Sequence, residues 1–184
     1  VSVNVNPDLP IITDNNLLAC SKKHFDKVID RLKKFDNVDF NQGIDSRLLK
    51  KHHANRFTEL KKPIIRLALD SMEYMHDWEK AYRLLRGAGL PKSLIRSYAL
   101  IGFDSDSLEA WERCQWIENH KIKVLPMWYH ALDQLEANIV TDDQKRLGWT
   151  EYDRKTIMGF YYRHRFPKER GKLYNMGKQF LTKS

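Results

Sequence analysis

The sequence holds only two cysteines in 184 residues, Cys20 and Cys114, and neither belongs to a CxxC or CxxH pair. That excludes a disulfide scaffold and a thiolate zinc site, and it makes a reducing cytoplasm the default compartment. No apolar run approaches the roughly 18 residues of a membrane-spanning helix. The N-terminus also lacks the basic and apolar regions of a signal peptide. Glycine is sparse and none sits in a phosphate loop, because "RGAG" follows a helical pattern and "QGID" holds a single glycine. Metal motifs are missing too. His52 and His53 are adjacent, so on a helix they point about 100 degrees apart, and no carboxylate stands at HExxH spacing to them, to His76 or to His130.

What is present is ordinary globular composition, 42% hydrophobic and 30% charged residues, at a length that fits one domain with a real core. The net charge of +8 is uneven: residues 142–184 carry 11 Lys/Arg against 5 Asp/Glu. That tail, "YYRHRFPKERGKLYNMGKQF", interleaves aromatic and basic residues. It reads either as a solvated helix laying its aromatics on the domain or as a contact to RNA phosphates and bases. The chain opens on Val1 rather than Met, which reads as a start inside a longer gene product.

Apolar, β-branched runs recur as "PIIT" (10–13), "VDF" (38–40), "PIIRLAL" (63–69), "SLIRSYALIGF" (93–103) and "KVLPMWY" (123–129). Several are continuous rather than alternating, as parallel strands covered on both faces require. Between them run amphipathic helical patterns. Phe25, Val28, Ile29 and Leu32 share one face behind a Ser21 cap; Met75, Trp78, Tyr82 and Leu85 share another, stopped at Gly87 or Gly89. Leu108, Trp111, Cys114 or Gln115, and Ile117 repeat the arrangement behind Ser105 or Asp106, which makes Cys114 a small buried hydrophobe. Strand and helix alternating at this spacing predict an α/β fold with an open parallel sheet of about five βα units. Either a doubly wound sheet or part of a β/α barrel satisfies that pattern. Residues 1–140 make up this unit, and residues 141–184 a basic, aromatic-rich helical extension. In the extension, Trp149, Tyr152, Met158, Phe160, Tyr161 and Tyr162 clamp a final helix onto the sheet. "HHANRFTEL" reads as an exposed helix.

In both architectures ligands bind at the carboxyl ends of the strands. Every strand here ends in polar chemistry: Asp14, Asn15 and Asn16; Gln42, Asp45 and Arg47; Asp70 and Ser71; "GFDSD" at 102–106; Tyr129, His130 and Asp133. An isolated Asp or Ser after a strand is usually a helix cap. Five in series point instead to a mouth that holds a polar ligand by several hydrogen bonds, either for chemistry or as a non-catalytic small-ligand or nucleic-acid binding module.

The series "TDNNLLA", "VDFNQGIDSRLL", "IIRLALDS" with a helix ending "RGAG", "ALIGFDSDSLEAWER" and "KVLPMWYHALD" resembles the later strands of the radical S-adenosylmethionine (radical SAM) superfamily, over roughly residues 9–135. The resemblance implies strands two to six of a partial (β/α)6 TIM-like barrel. It implies that Asp14, Asn15 and Asn16 meet the amino group of S-adenosylmethionine, and that Asp70 and Ser71 reach its ribose hydroxyls or carboxylate. Ile101, Gly102, Phe103, Pro126 and Met127 would line the adenine. Arg47 would pair with the cofactor carboxylate or a substrate, and Arg47 and His130 are the candidates for a catalytic role. No metal ligands are assigned.

The superfamily's Cys-x3-Cys-x2-Cys loop, which holds a [4Fe-4S] cluster, has no counterpart here. The chain is therefore expected to be the C-terminal portion of an enzyme that, when intact, reductively cleaves S-adenosylmethionine to a 5'-deoxyadenosyl radical and acts on a small molecule or RNA. Alone it is expected to hold no cluster and show no radical activity. Removing a first strand leaves an exposed edge on the second. That edge is expected to be covered by residues 1–8 or used for self-association.

Overall fold

A computed structural model of the chain describes residues 3–6, 9–13, 16–132, 134 and 136–162. Six strands, β1 (Val3–Asn6), β2 (Leu9–Ile12), β3 (Val38–Asp45), β4 (Pro63–Leu69), β5 (Ile95–Ile101) and β6 (Lys123–Trp128), hydrogen-bond in that order. β2 to β6 form the expected parallel sheet. β1 turns back antiparallel on β2, with Asn4 opposite Ile11. Residues 3–6 thus occupy the edge of β2, one of the two covers expected, and self-association through an open second-strand edge is corrected: its backbone groups are already paired. Among the described residues no helix is long and apolar enough to cross a membrane.

The chain divides into two compact units: residues 1–98 with 121–123, and residues 99–120 with 124–184. In the first unit, α1 (Lys22–Leu32), α2 (Lys51–Phe57) and α3 (Met75–Gly87) follow β2, β3 and β4. α1 forms because Phe25, Val28, Ile29 and Leu32 recur on one side, all buried, while Ser21 accepts a hydrogen bond from the His24 N–H at 3.3 Å. Phe25 meets Phe57 of α2 edge-on at 5.6 Å, and Phe57 meets Phe40 of β3 at 4.9 Å. Full burial of each ring stabilises by about 1.5–3 kcal/mol. α2 is therefore not the exposed helix expected: His53, Ala54 and Phe57 face inward. His53 fits there because its Nδ1 accepts the Lys50 N–H at 3.2 Å, and burial draws its pKa down toward the neutral ring.

α3 buries Trp78, Ala81, Tyr82 and Leu85, and Met75 lies half-buried at its start. Gly89 at φ +100° makes the left-handed stop, whereas Gly87 remains helical. Trp78 donates its indole N–H to Ser97 on β5 at 2.9 Å, and the Ser97 hydroxyl lies 3.1 Å from the Leu67 carbonyl on β4. The residues alternating with Ser97 and Leu67 face the other way. Register places Asp39 and Arg66 on that second face, where Arg66 forms a bidentate pair with Asp39, one arm at 2.8 Å.

In the second unit, α4 (Ser107–Asn119) is capped by Asp106, whose side chain accepts the Glu109 N–H at 2.8 Å. It buries Ala110, Trp111, Cys114 and Ile117, while Leu108 is half-buried. α5 (Asp142–Arg146) and α6 (Glu151–Tyr162) follow β6. Of the aromatics expected to clamp α6 onto the sheet, Phe160 and Tyr161 instead meet Trp111 of α4, with rings 5.0 and 6.0 Å apart. Tyr152 and Tyr162 are exposed, although the Tyr162 hydroxyl donates to the Pro126 carbonyl of β6 at 2.8 Å. The basic tail after Tyr162 lies outside the described residues.

Candidate functional site

The carboxyl ends of β2, β3 and β4 converge in the first unit. Asn16, Gln42, Gly43, Asp45, Ser46 and Arg47, with Ala68, Asp70 and Tyr74, line a cavity of about 220 Å3. A bulge in β3 creates the opening: Phe40 pairs with Ile65 and Ile44 with Leu67, so four residue steps on β3 meet two on β4. Gly43 makes it feasible at φ +85°, with the Tyr98 ring 3.3 Å from where a Cβ would stand. The stretch 41–45, which follows the apolar run 38–40, is thus the bulged end of the same strand. Beyond it the Ser46 hydroxyl donates to the Ala68 carbonyl at 3.1 Å and ties the two strand ends together.

Asp45 and Arg47 dominate the electrostatics. Arg47 Nε and Nη2 reach the two Asp45 oxygens at 3.0 Å each, the Arg47 N–H reaches one of them at 3.0 Å, and the guanidinium lies 4.7 Å from the Tyr74 ring centre. The guanidinium holds the Asp45 carboxyl below the usual carboxylate range, helped by the Arg47 N–H and the Asn16 side chain. A lowered carboxylate pKa adds stability above its ordinary value, and this is lost only as pH falls through the lowered one. The pair is therefore ionised and closed on itself through the neutral range, and the Asp70 carboxylate and the amide groups of Asn16 and Gln42 line the cavity beside it.

Of the residues singled out in the sequence, Asn16, Arg47 and Asp70 meet in this cavity. Asp14 and Asn15 lie outside the described residues. Ser71 caps a 3-10 turn, accepting the Glu73 N–H at 3.3 Å, and does not line the cavity. Gly102, Phe103, Pro126, Met127 and His130 belong to the second unit. There Gln144 donates to the Gly102 carbonyl at 2.8 Å and to the Tyr129 carbonyl at 3.0 Å, and the Pro126 carbonyl is taken by Tyr162. Backbone recognition of adenine by Gly102 and Pro126 would have to compete with those bonds. Phe103 and Met127 are 50% and 45% exposed, and the Phe103 ring lies 4.7 Å from that of Tyr129. His130 is exposed. The site residue least visible in sequence is Tyr74, five residues past the end of β4.

The chain's thiols do not fit an iron–sulfur cluster. Cys20 directs its Sγ to the Leu17 carbonyl at 2.9 Å, while Cys114 is fully buried in α4, where burial pushes its thiol pKa up to about 12. Two thiols, one held protonated, cannot replace three thiolates. Among the described residues no group of three His, Cys, Asp or Glu is placed to hold a metal ion. We expect a thiol-exchange reagent at pH 8 to modify Cys20 within minutes and Cys114 only on unfolding. Fast labelling of both in the native protein would contradict the burial. No protein-family model, curated protein or solved structure matches the chain.

Proposed function

We propose that the strand-end cavity binds the amino-acid end of S-adenosylmethionine, and that the chain is the later-strand portion of a radical SAM enzyme with its sheet curled as a partial (β/α)6 barrel. The observation that carries this reading is the convergence of Asn16, Arg47 and Asp70, from the ends of successive parallel strands, on one polar cavity. An ammonium offers three donors and no acceptor, which suits the Asp70 carboxylate and the amide oxygens of Asn16 and Gln42. Arg47, already held by Asp45, lends its remaining N–H groups to a carboxylate. When bound in an intact enzyme the cofactor would supply reductive C–S cleavage, with the cluster held by residues other than these; this chain's part is to bind and orient. Localisation in the cytoplasm and a small-molecule or RNA substrate belong to the same proposal.

The cavity's size favours a second reading, a small-ligand module without radical chemistry, since about 220 Å3 lies below the ~300–1,000 Å3 of sites that enclose drug-sized ligands. Calorimetric titration separates the two. On the first reading S-adenosylmethionine binds saturably and more tightly than methionine, and Asp70→Ala weakens it about tenfold, or ~1.4 kcal/mol. Lys27→Ala, on the exposed side of α1, leaves it unchanged. Equal affinity for methionine supports the second reading, and no saturation by either ligand removes both. A Cys-x3-Cys-x2-Cys loop encoded upstream of Val1 is the further requirement of the first.

A further inference from the structure

α3 is amphipathic, yet its buried face uses only Trp78, Ala81, Tyr82 and Leu85. A second line on the same helix, Leu84, Gly87 and Ala88, forms the apolar floor of a groove of about 670 Å3 between α3 and α2, three times the volume of the strand-end cavity. Lys51 and Lys80 stand exposed on its rim and enter no ion pair among the described residues, while Arg83 is bound to Glu79 at 2.6 Å. On α1, which packs beside α2, Lys22, Lys23, Lys27 and Arg31 are exposed and likewise unpaired. The neighbouring acids Asp26 and Asp30 are occupied by His52, Arg56 and Lys33. The helical layer of the first unit therefore carries a surplus of positive charge, of which Lys51 and Lys80 stand at the apolar trough itself.

Gly87 adds an independent point. It is helical, a Cβ there would meet nothing within 4 Å, and the left-handed stop is supplied by Gly89. No contact within the described chain requires glycine, which costs a helix about 0.5–1 kcal/mol relative to alanine. Its place on the groove floor lets another backbone approach closely.

We propose that this groove docks an acidic amphipathic helix of a partner protein, its leucine-like face on Leu84, Gly87 and Ala88 and its carboxylates on Lys51 and Lys80. α3, at 13 residues, is about 20 Å long, which sets the partner segment at three to four turns. A nucleic acid is disfavoured as occupant, because no Phe, Tyr or Trp lines the groove to stack a base and phosphates would leave the apolar floor wet.

The test uses the full chain and a fluorescent synthetic helix of about 14 residues with leucine at i, i+3, i+4 and i+7 and glutamate elsewhere. Its comparators are the same peptide with lysine for glutamate, and a uridine dodecamer. The glutamate peptide is expected to bind saturably, to weaken with salt, and to lose about tenfold in affinity in Lys51→Glu/Lys80→Glu and in Gly87→Trp, with the lysine peptide failing to bind. S-adenosylmethionine titrations of those variants serve as the control for the separate cavity. If Gly87→Trp unfolds, the exposed double charge reversal carries the test alone. Equal binding of both peptides, no saturation by about 1 mM of the glutamate peptide, or a dodecamer that binds more tightly and weakens in the same variants overturns the proposal.

Discussion

Arg66→Met is expected to remove about 3–5 kcal/mol from the stability of the first unit, because it leaves the Asp39 carboxylate buried without its cation. The two side chains are 7% and 11% exposed and share a bidentate contact, and the Tyr98 ring centre lies 5.8 Å from the guanidinium carbon. Neither side chain is exposed enough for water to replace its partner fully. Asp39→Asn is expected to cost a comparable amount by stranding the guanidinium. In the double variant neither charge is left alone, so its loss falls well short of the sum, and the shortfall measures the coupling. Urea denaturation followed by far-ultraviolet circular dichroism reads all three. Single losses under about 1 kcal/mol would show the pair to be solvated rather than buried. The pair also marks a chemical difference between the two faces of this sheet: Ile65 and Leu67 face the side buried with Phe40 and Trp78, while Asp39, Arg66 and Tyr98 face the other. A face used only for packing would carry valine or leucine at those positions.

The fold was most legible in the apolar, β-branched runs. "PIIRLAL" and the core of "SLIRSYALIGF" are strands in the places expected, but their burial is not equal on both faces: β5 alternates buried and half-buried residues along its whole length, and β4 departs from that alternation only at the buried Arg66. The helices whose apolar residues recur at three and four were equally plain. What the pattern hid were features that do not depend on hydrophobicity. β1 reads as "VNVN", four residues of which half are asparagine, and it owes its place to backbone pairing with β2. α2 was legible as a helix but not as a buried one, because His53 counts as polar by type and is buried with its Nδ1 satisfied. The end of β3 hides behind Gly43, which looks like a turn residue and serves as a bulge.

The candidate site was legible to the level of strand ends. Asn16, Arg47 and Asp70 emerge from three different strands, and only the parallel order of those strands brings them to one cavity. Single residues behind a strand were harder to sort. Ser71 and Asp70 are neighbours in sequence, yet one is spent on a turn and the other lines the cavity, a distinction set by the direction of the chain after β4. Asp45 and Arg47, two residues apart, looked like separate polar contacts and are instead one closed ion pair. Spacing alone does not show that a positive charge has already been neutralised.

Gly102→Ala is expected to destabilise the second unit by about 2–5 kcal/mol. Roughly 1–2 kcal/mol comes from holding a side-chain-bearing residue at φ +78°. A further 1–3 kcal/mol or so comes from overpacking. A Cβ at this position would stand 2.5 Å from the Trp128 ring, closer than atoms approach without something moving. Trp128 cannot yield cheaply. Its ring packs against Trp149 at 4.9 Å, its indole N–H donates to the Ile139 carbonyl at 3.0 Å, and Trp149 in turn donates to the Ser105 carbonyl at 2.7 Å. The backbone is pinned as well, since the Gly102 carbonyl accepts from the buried Gln144. Gly89→Ala provides the comparison, because Gly89 is also left-handed, at φ +100°, but a Cβ there meets nothing within 4 Å. It should show only the backbone part, about 1–2 kcal/mol. Four of the five tryptophans, Trp111, Trp116, Trp128 and Trp149, lie in the second unit, so denaturation followed by tryptophan fluorescence reports on it directly. A loss in Gly102→Ala no larger than that in Gly89→Ala would mean that Trp128 moves aside freely, and that the chain from Gly102 through Trp128 to Trp149 does not lock the ends of β5 and β6 together.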